Sequence, residues 1–157
     1  MKYKRILLII FILYGVLSIT GCSNHYSDNK HLLKENEEKW TEQSQLFMQN
    51  YTYTLKISCF CPNKITSPVF VMVLAGKTDS VVYQSDGQPA TESVFNAVDR
   101  IEDLFTVIKN AIDQKVDKLM VEYDPVLGYP RQISIDHNEK AYDDETSYTV
   151  LDFAILK

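Results

Sequence analysis

The strongest constraint on the fold is a run of apolar residues spaced as on one face of an α-helix. Its members are Val94, Phe95, Val98, Ile101, Phe105, Ile108 and Ile112. Spacings of three and four place them on one stripe, with charged residues such as Glu102 and Asp103 on the wet side. Thr91 or Ser93 can cap the start, and we predict a helix that runs to about Asp113. Such a helix must bury its stripe against another layer.

Six other segments show strand patterns. Residues 51–61 alternate, with Tyr51, Tyr53, Leu55, Ile57, Cys59 and Cys61 on one side, which is typical of a half-buried strand. Residues 68–75 are continuously apolar and favour a central strand, and residues 80–83 return beside it as a hairpin. Further strands are predicted at residues 119–123, 131–136 and 148–155.

These elements predict an α+β domain. A short N-terminal helix over about residues 37–49, which includes Trp40, precedes the first three strands, and the long helix separates them from the last three. The links within each group of strands are too short for parallel crossovers, so the sheet of about five to six strands should be mainly antiparallel. The long helix would then pack on one face of the sheet.

The N-terminus has the layout of a secretory signal peptide. Basic residues within positions 1–5 precede a nearly unbroken apolar run over residues 6–20, shorter than a membrane-spanning helix needs. The following Ile19-Thr20-Gly21-Cys22 resembles the bacterial lipobox. This resemblance implies removal of residues 1–21 and attachment of acyl chains, palmitate among them, to Cys22. An ordinary N-terminal membrane anchor with a chance cysteine is the alternative.

The charge balance bears on what the exported chain could bind. The first 21 residues contain three basic residues and no acid, which leaves 13 basic against 21 acidic residues, a formal charge of −8. An acidic chain is poorly suited to nucleic acid or to anionic lipid heads. We therefore expect attachment through lipid to the cell membrane or outer membrane, outside the cytoplasm, with residues 22–37 as a polar tether and residues 38–157 as one domain.

Several short motifs resemble a family of small bacterial lipoproteins known only as a domain of unknown function. They are Trp40, Tyr51-Thr52-Tyr53, Ser58-Cys59-Phe60-Cys61-Pro62, Tyr123-Asp124-Pro125, Gly128-Tyr129-Pro130 and Ile135-Asp136. The CxC strand and the YDPxxGYP hairpin are the most specific of them. The resemblance implies an exported, compact α+β domain and supplies no activity.

Cys59 and Cys61 form the first candidate site. Paired cysteines in an exported protein favour a disulfide. Two strand residues rise about 6.6 Å, near the upper limit for the Cα separation in a disulfide, so a bridge would require a local buckle. Two buried thiols, a small structural staple, or a redox-linked or metal-linked function all remain open at this point.

Two further groups could bind something. Asp136, Asp143, Asp144 and Glu145 provide oxygen ligands for a weak Ca²⁺ candidate, but their spacing does not fit an EF-hand loop and a solvated acidic loop is the favoured interpretation. Val126, Leu127 and Tyr129 lie at the tip of the predicted YDPxxGYP hairpin and form a candidate surface for an envelope protein partner, unless they pack back onto the sheet.

Catalytic patterns are weak in this sequence. His137 is the sole histidine of the predicted domain, and the sequence contains no phosphate loop, HExxH helix or GxSxG elbow. We assign no catalytic residue and no cofactor. The leading hypothesis is a non-catalytic, lipid-anchored binding or accessory domain of the cell envelope, and the alternative is a redox-linked or metal-linked role centred on Cys59 and Cys61.

Overall fold

The computed structural model describes residues 25–157, and it describes side chains from residue 28 onward. The predicted signal peptide, residues 1–21, and the predicted lipidation site, Cys22, lie outside the described residues. Within residues 25–157, no helix combines the length and the apolar character that a membrane crossing requires.

The described part of the chain contains three α-helices and six strands. In chain order they are α1 (His25–Leu46), β1 (Tyr51–Ser58), α2 (Asn63–Thr66), β2 (Val69–Leu74), β3 (Lys77–Tyr83), α3 (Ile101–Gln114), β4 (Lys118–Tyr123), β5 (Pro130–Asp136) and β6 (Glu145–Ile155). A 3₁₀ turn over Phe95–Ala97 precedes α3. The predicted order of the strands and of the two longer helices is confirmed, whereas the four-residue α2, in a segment predicted as a loop, was not predicted.

The six strands form one antiparallel sheet in the order β3-β2-β1-β6-β5-β4. Each group of three consecutive strands is a meander, because its short links allow only neighbouring antiparallel pairs. Pairing of β1 with β6 joins the two meanders, so β1 is an inner strand of the sheet. This arrangement confirms the predicted α+β fold with a mainly antiparallel sheet.

One face of the sheet builds the core. Tyr51, Tyr53 and Leu55 lie opposite Val73, Val71 and Val69, and directly opposite residues of an antiparallel pair point to the same side. All six of these side chains are buried. The helices cover this face and contribute Trp40, Ile101, Leu104, Phe105 and Ile108 to the same core.

The first helix differs from the prediction in where it begins. α1 has 22 residues and begins at His25, within the segment that the sequence suggested as a polar tether becoming helical toward its end. Its buried side chains are Leu33, Asn36, Trp40 and Ser44, at spacings of three and four. Two of the four are polar, so a search for apolar residues at helical spacing does not detect this buried face. Asn36 satisfies its amide locally by donating to the Leu32 carbonyl, 2.8 Å away.

The second long helix begins later than predicted. α3 has 14 residues and begins at Ile101 rather than near Thr91 or Ser93. Arg100 has an extended backbone, and Asp103 accepts from the Arg100 backbone N–H at 3.1 Å, which caps the helix there. Val94, Phe95 and Val98 still pack on the core, but from the 3₁₀ turn and its flanks. Apolar spacing alone could not locate this break.

Candidate functional site

The second face of the sheet, here called the open face, carries no helix in the described part of the chain. Leu74, Leu151 and Met120 point to this face. Each lies directly opposite a residue of the neighbouring strand that also points to it, Lys77, Thr54 and Ser134 respectively. These three apolar side chains are 40%, 44% and 54% exposed. The face also carries Phe70, Met72, Val82, Thr52, Thr54, Thr149, Gln132, Ser134 and Ser147. The face thus mixes apolar, hydroxyl and charged side chains, and of these Thr52 and Thr54 are buried, with only 6% and 2% exposed.

Both edges of the sheet are partly covered. At β3, the Tyr83 N–H donates to the Gln88 carbonyl at 2.8 Å and the Ala90 N–H donates to the Val81 carbonyl at 3.0 Å. At β4, the Asn29 amide of α1 donates to the Leu119 carbonyl at 3.3 Å. Covered edges are protected against strand addition, so the open face is the more accessible surface of the sheet.

A depression of about 350 Å³ lies on the β4-β5-β6 half of the open face. The open-face residues that line it are Lys118, Met120, Ser134, Asp136, Glu145 and Ser147. They form two rows across the three strands, with Lys118, Asp136 and Glu145 in one and Met120, Ser134 and Ser147 in the other. The Ser134 and Ser147 hydroxyls lie 3.3 Å apart and hydrogen-bond to each other.

The structure joins Cys59 and Cys61 in a disulfide with a Cα–Cα distance of 5.2 Å. The sequence placed both cysteines on the strand, but β1 ends at Ser58 and the chain bends over the next residues. This bend supplies the buckle that brings the two Cα atoms closer than their separation along a strand. Phe60, between the cysteines, is 84% exposed.

His137 does not lie beside the cysteines. It follows β5, whereas Cys59 follows β1, and β6 lies between these two strands. Two strand spacings separate their backbones by about 10 Å at that end of the sheet. His137 instead lines a depression of about 160 Å³ with Gln114 and Tyr148. The arrangement does not form the Cys–His pair that a thiol enzyme requires.

The four predicted calcium ligands are distributed over the end of a hairpin. Asp136 and Glu145 face each other across β5 and β6, and Asp143 and Asp144 belong to the preceding loop, with Asp143 at φ +67°. Among the side chains that the structure describes, no group of three or more His, Cys, Asp or Glu is placed to hold a metal ion. The four predicted ligands therefore do not come together as a metal site in the described residues.

The hairpin residues separate into exposed and buried ones. Val126 is 71% exposed, but Tyr129 is only 8% exposed, with its ring stacked on Phe153 at a centroid distance of 4.5 Å. The predicted partner surface is wrong for Tyr129, because its ring packs back onto the core and meets Trp40 edge-on at 6.1 Å. Leu127 is half-buried and also packs against the core.

The same hairpin is a docking element for α1. The Asp124 carboxylate closes the turn by accepting from the Val126 and Leu127 N–H groups at 3.0 and 2.8 Å. Gly128 has φ +82°, and a Cβ there would lie 2.7 Å from the Asn36 carbonyl oxygen of α1. The YDPxxGYP motif therefore specifies a tight turn and a close approach to a helix.

A buried polar network joins α1, β1 and α3. Trp40 Nε1 donates to Glu102 Oε1 at 2.8 Å, Tyr51 Oη donates to Glu102 Oε2 at 3.2 Å, and the Ile101 N–H donates to Tyr51 Oη at 3.2 Å. Burial, with the Glu102 charge nearby, raises the pKa of Tyr51 well above its usual range. The sequence placed Glu102 on the wet side of its helix, and in the structure it is half-buried there because Trp40 of α1 contacts it.

Tyr53 is the neighbouring buried phenol. It is fully buried, and its hydroxyl has no hydrogen-bond partner among the described residues. Burial raises the pKa of Tyr53 well above its ordinary value, and Tyr51 and nearby acids add to the effect. The Tyr53 phenol is therefore expected to stay protonated at neutral pH.

Comparison with known protein families matches residues 32–155 to DUF6174, a family of unknown function. No significant match occurs among curated proteins or among solved structures. The family match begins within α1 and ends with β6, so it covers the sheet, α3 and the larger part of α1. The expected family of unknown function is confirmed at this level, and its lipoprotein nature stays a prediction. The chain belongs to the DUF6174 family.

Proposed function

We propose that this chain is an exported, lipid-anchored lipoprotein of the cell envelope whose domain binds a protein partner without catalysing a reaction. The open face of the sheet carries the proposal, because Met120, Leu151 and Leu74 remain 54%, 44% and 40% exposed on it. A sheet face that carries exposed apolar side chains and no helix among the described residues is a candidate binding surface. The polar network around Glu102 is used inside the fold and offers no substrate site.

The N-terminal sequence supports the anchor. Residues 1–21 have the charge and apolar pattern of a signal peptide, and Cys22 follows Gly21 as in a lipobox. α1 begins at His25, close behind the anchor residue. Acyl chains on Cys22 would therefore hold the domain near the membrane surface, with α1 extending about 33 Å from its first residue to its last.

Mass spectrometry of the protein from its native membrane tests the anchor. We expect a chain that starts at Cys22 and carries a diacylglycerol thioether, with further acylation of the new amino group. Cys22→Ser should leave an unprocessed chain without lipid. A wild-type protein that starts at Met1 and lacks lipid would contradict the proposal.

Site-specific photocrosslinking in intact cells tests binding. A crosslinking residue at Gln132 samples the open face, one at Val126 samples the hairpin tip, and one at Gln45 samples the outer side of α1. We expect one defined partner to be captured from Gln132. Crosslinks from Val126 alone would move the binding site to the hairpin tip, and no crosslink at any of the three positions would contradict a binding role.

A redox role at the cysteine pair is the second candidate, and the bridged Cys59–Cys61 pair beside an 84% exposed Phe60 favours it. An external dithiol would reduce the bridge to two thiols and become a disulfide itself. In this case Cys59→Ser would abolish function while the domain stays folded, and thiol counting in cells would find a reduced fraction. A fully oxidised pair in cells, together with a Cys59→Ser variant that is only less stable, would contradict the redox role and show that the disulfide is purely structural.

A further inference from the structure

The β4-β5-β6 half of the open face, here called the acidic half, differs from the rest in charge. Its ionisable residues are Lys118 and Glu122 on β4, Asp136 on β5, and Glu145 and Asp152 on β6, four acids and one base. The depression of about 350 Å³ lies among them. This volume is at the lower end of the range for small-molecule sites, so it suits one or two side chains of a larger partner.

Two carboxylates are placed against each other in this depression. Asp136 and Glu145 are direct partners in the β5–β6 register. Like charges that face each other across strands are destabilising. Asp136 Oδ1 is buried and accepts no hydrogen bond from any described residue, and no ion pair within 4.0 Å links Lys118 to either acid in residues 25–157. Lys118 is the cross-strand neighbour of Asp136 on the other side, but it lies beyond ion-pair distance, so Asp136 Oδ1 has no donor among the described residues.

We propose that the acidic half docks a segment of a partner protein that presents a lysine or arginine flanked by apolar side chains. This inference rests on the proposed binding function and names the chemistry of its partner. The cationic group would lie over Asp136 and Glu145 and donate to both, which relieves the like-charge pair. The apolar stem of that side chain would lie along Met120, with the Ser134–Ser147 hydroxyl pair beneath it.

Charge selects this partner over the other candidates. A second copy of the processed chain would bring another net-negative molecule to the acidic half, since residues 22–157 carry a formal −8. Anionic lipid and nucleic acid are repelled in the same way. A basic segment with apolar neighbours is the partner whose charge complements the acidic half and whose apolar side chains match Met120 and Leu151.

The experiment uses the full chain in its native cells, with the crosslinking residue at Gln132 and sequencing of the captured peptide. We expect a peptide from another protein with a lysine or arginine close to the crosslinked residue. The double variant Asp136→Asn with Glu145→Gln should lower the crosslinking yield at least tenfold, because it removes two charge-assisted acceptors. The matched control is Glu35→Gln with Glu42→Gln on exposed positions of α1, which should leave the yield unchanged.

Circular dichroism of both double variants checks that the domain is folded. A captured peptide that is acidic, or that comes from this chain itself, overturns the inference while a binding role survives. An unchanged yield in the Asp136→Asn, Glu145→Gln variant overturns it as well. Crosslinks that arise only from Val126 or Gln45 would place the binding site outside the acidic half and so overturn this inference. No crosslink at any position would contradict both this inference and the proposed binding role, whereas the lipid anchor is tested separately by mass spectrometry.

Discussion

The indole N–H of Trp40 donates to the carboxylate of Glu102 over 2.8 Å, and this bond joins α1 to the first turn of α3. Trp40 is only 1% exposed, so its N–H has no access to bulk water. Tyr51 uses the other carboxylate oxygen at 3.2 Å, which ties β1 to the same point. Glu102 is thus the polar centre at which both long helices meet the inner strand of the sheet.

Replacing Glu102 should destabilise the fold. Glu102→Ala leaves the Trp40 N–H buried without an acceptor and removes the acceptor of Tyr51, so we expect a loss of about 2–3 kcal/mol in the free energy of unfolding. Equilibrium urea unfolding measures it. Asn110→Ala, at an exposed position of the same helix, is the control and should change stability by less than about 0.5 kcal/mol. Equal effects of the two variants would show that the network contributes nothing.

Gly128→Ala should loosen the contact between the hairpin and α1. Gly128 combines φ +82° with a Cβ position 2.7 Å from the Asn36 carbonyl oxygen, so both backbone strain and overlap oppose a side chain. The backbone term is about 1–2 kcal/mol, and crowding adds about 1–3 kcal/mol. Gly87→Ala is a matched control, since Gly87 has φ +71° and no atom within 4 Å of its Cβ position. Thermal or urea unfolding should show a clearly larger loss for Gly128→Ala.

The two kinds of hairpin residue should respond differently to truncation. Tyr129→Ala removes a ring that stacks on Phe153 at 4.5 Å, and we expect a loss of about 3–4 kcal/mol. Val126→Ala, at a 71% exposed position, should change stability by less than about 0.5 kcal/mol. Chemical denaturation of both variants tests this. A stable Tyr129→Ala protein would contradict the packing role of the hairpin.

Stability should fall in alkaline solution. Burial raises the pKa of Tyr51 and of Tyr53 above the unfolded value of about 10. A raised folded-state pKa means that the unfolded chain loses its proton first, so the contribution is fully present below pH 10 and is lost as the pH rises beyond it. The urea midpoint should begin to drop near pH 10 and continue to fall as the pH rises further, and tyrosinate absorbance should appear together with unfolding.

Tyr53→Phe isolates one of these phenols. The hydroxyl of Tyr53 is buried without a partner among the described residues, so its removal should leave stability unchanged or raise it by about 1 kcal/mol at neutral pH. The variant should also lose less stability at high pH than the wild type. Identical pH profiles for the two proteins would show that Tyr53 titrates in the same way folded and unfolded.

Removal of the disulfide should cost little. The Cys59–Cys61 bridge closes a very short loop, for which the chain-entropy relation gives about 1–2 kcal/mol. Cys59→Ser with Cys61→Ser should therefore remain folded with a slightly lower urea midpoint. Reduction of the wild-type protein should reproduce the same midpoint. A double variant that fails to fold would show that the bridge does more than restrain the bend after β1.

The cysteine pair and the hairpin show which structural features short-range sequence patterns can predict and which they cannot. The alternation from Tyr51 predicted β1, and the turn residues of the YDPxxGYP motif predicted a tight connection, because strand period and turn geometry depend on neighbouring residues. The bend after Ser58 and the inward packing of Tyr129 were not predictable in this way. They depend on contacts with residues distant in the chain, such as Phe153 and Trp40.

The sequence by itself determined the α+β class, the order of helices and strands and the antiparallel character of the sheet, because hydrophobic period and link length are local properties. Tertiary structure alone decided the pairing of β1 with β6, the start of α1 at His25 and the contact of Glu102 with Trp40. It also decided that Asp136 and Glu145 face each other on the open face. Each of these depends on register or on packing between distant segments, which one strand or one helix does not specify.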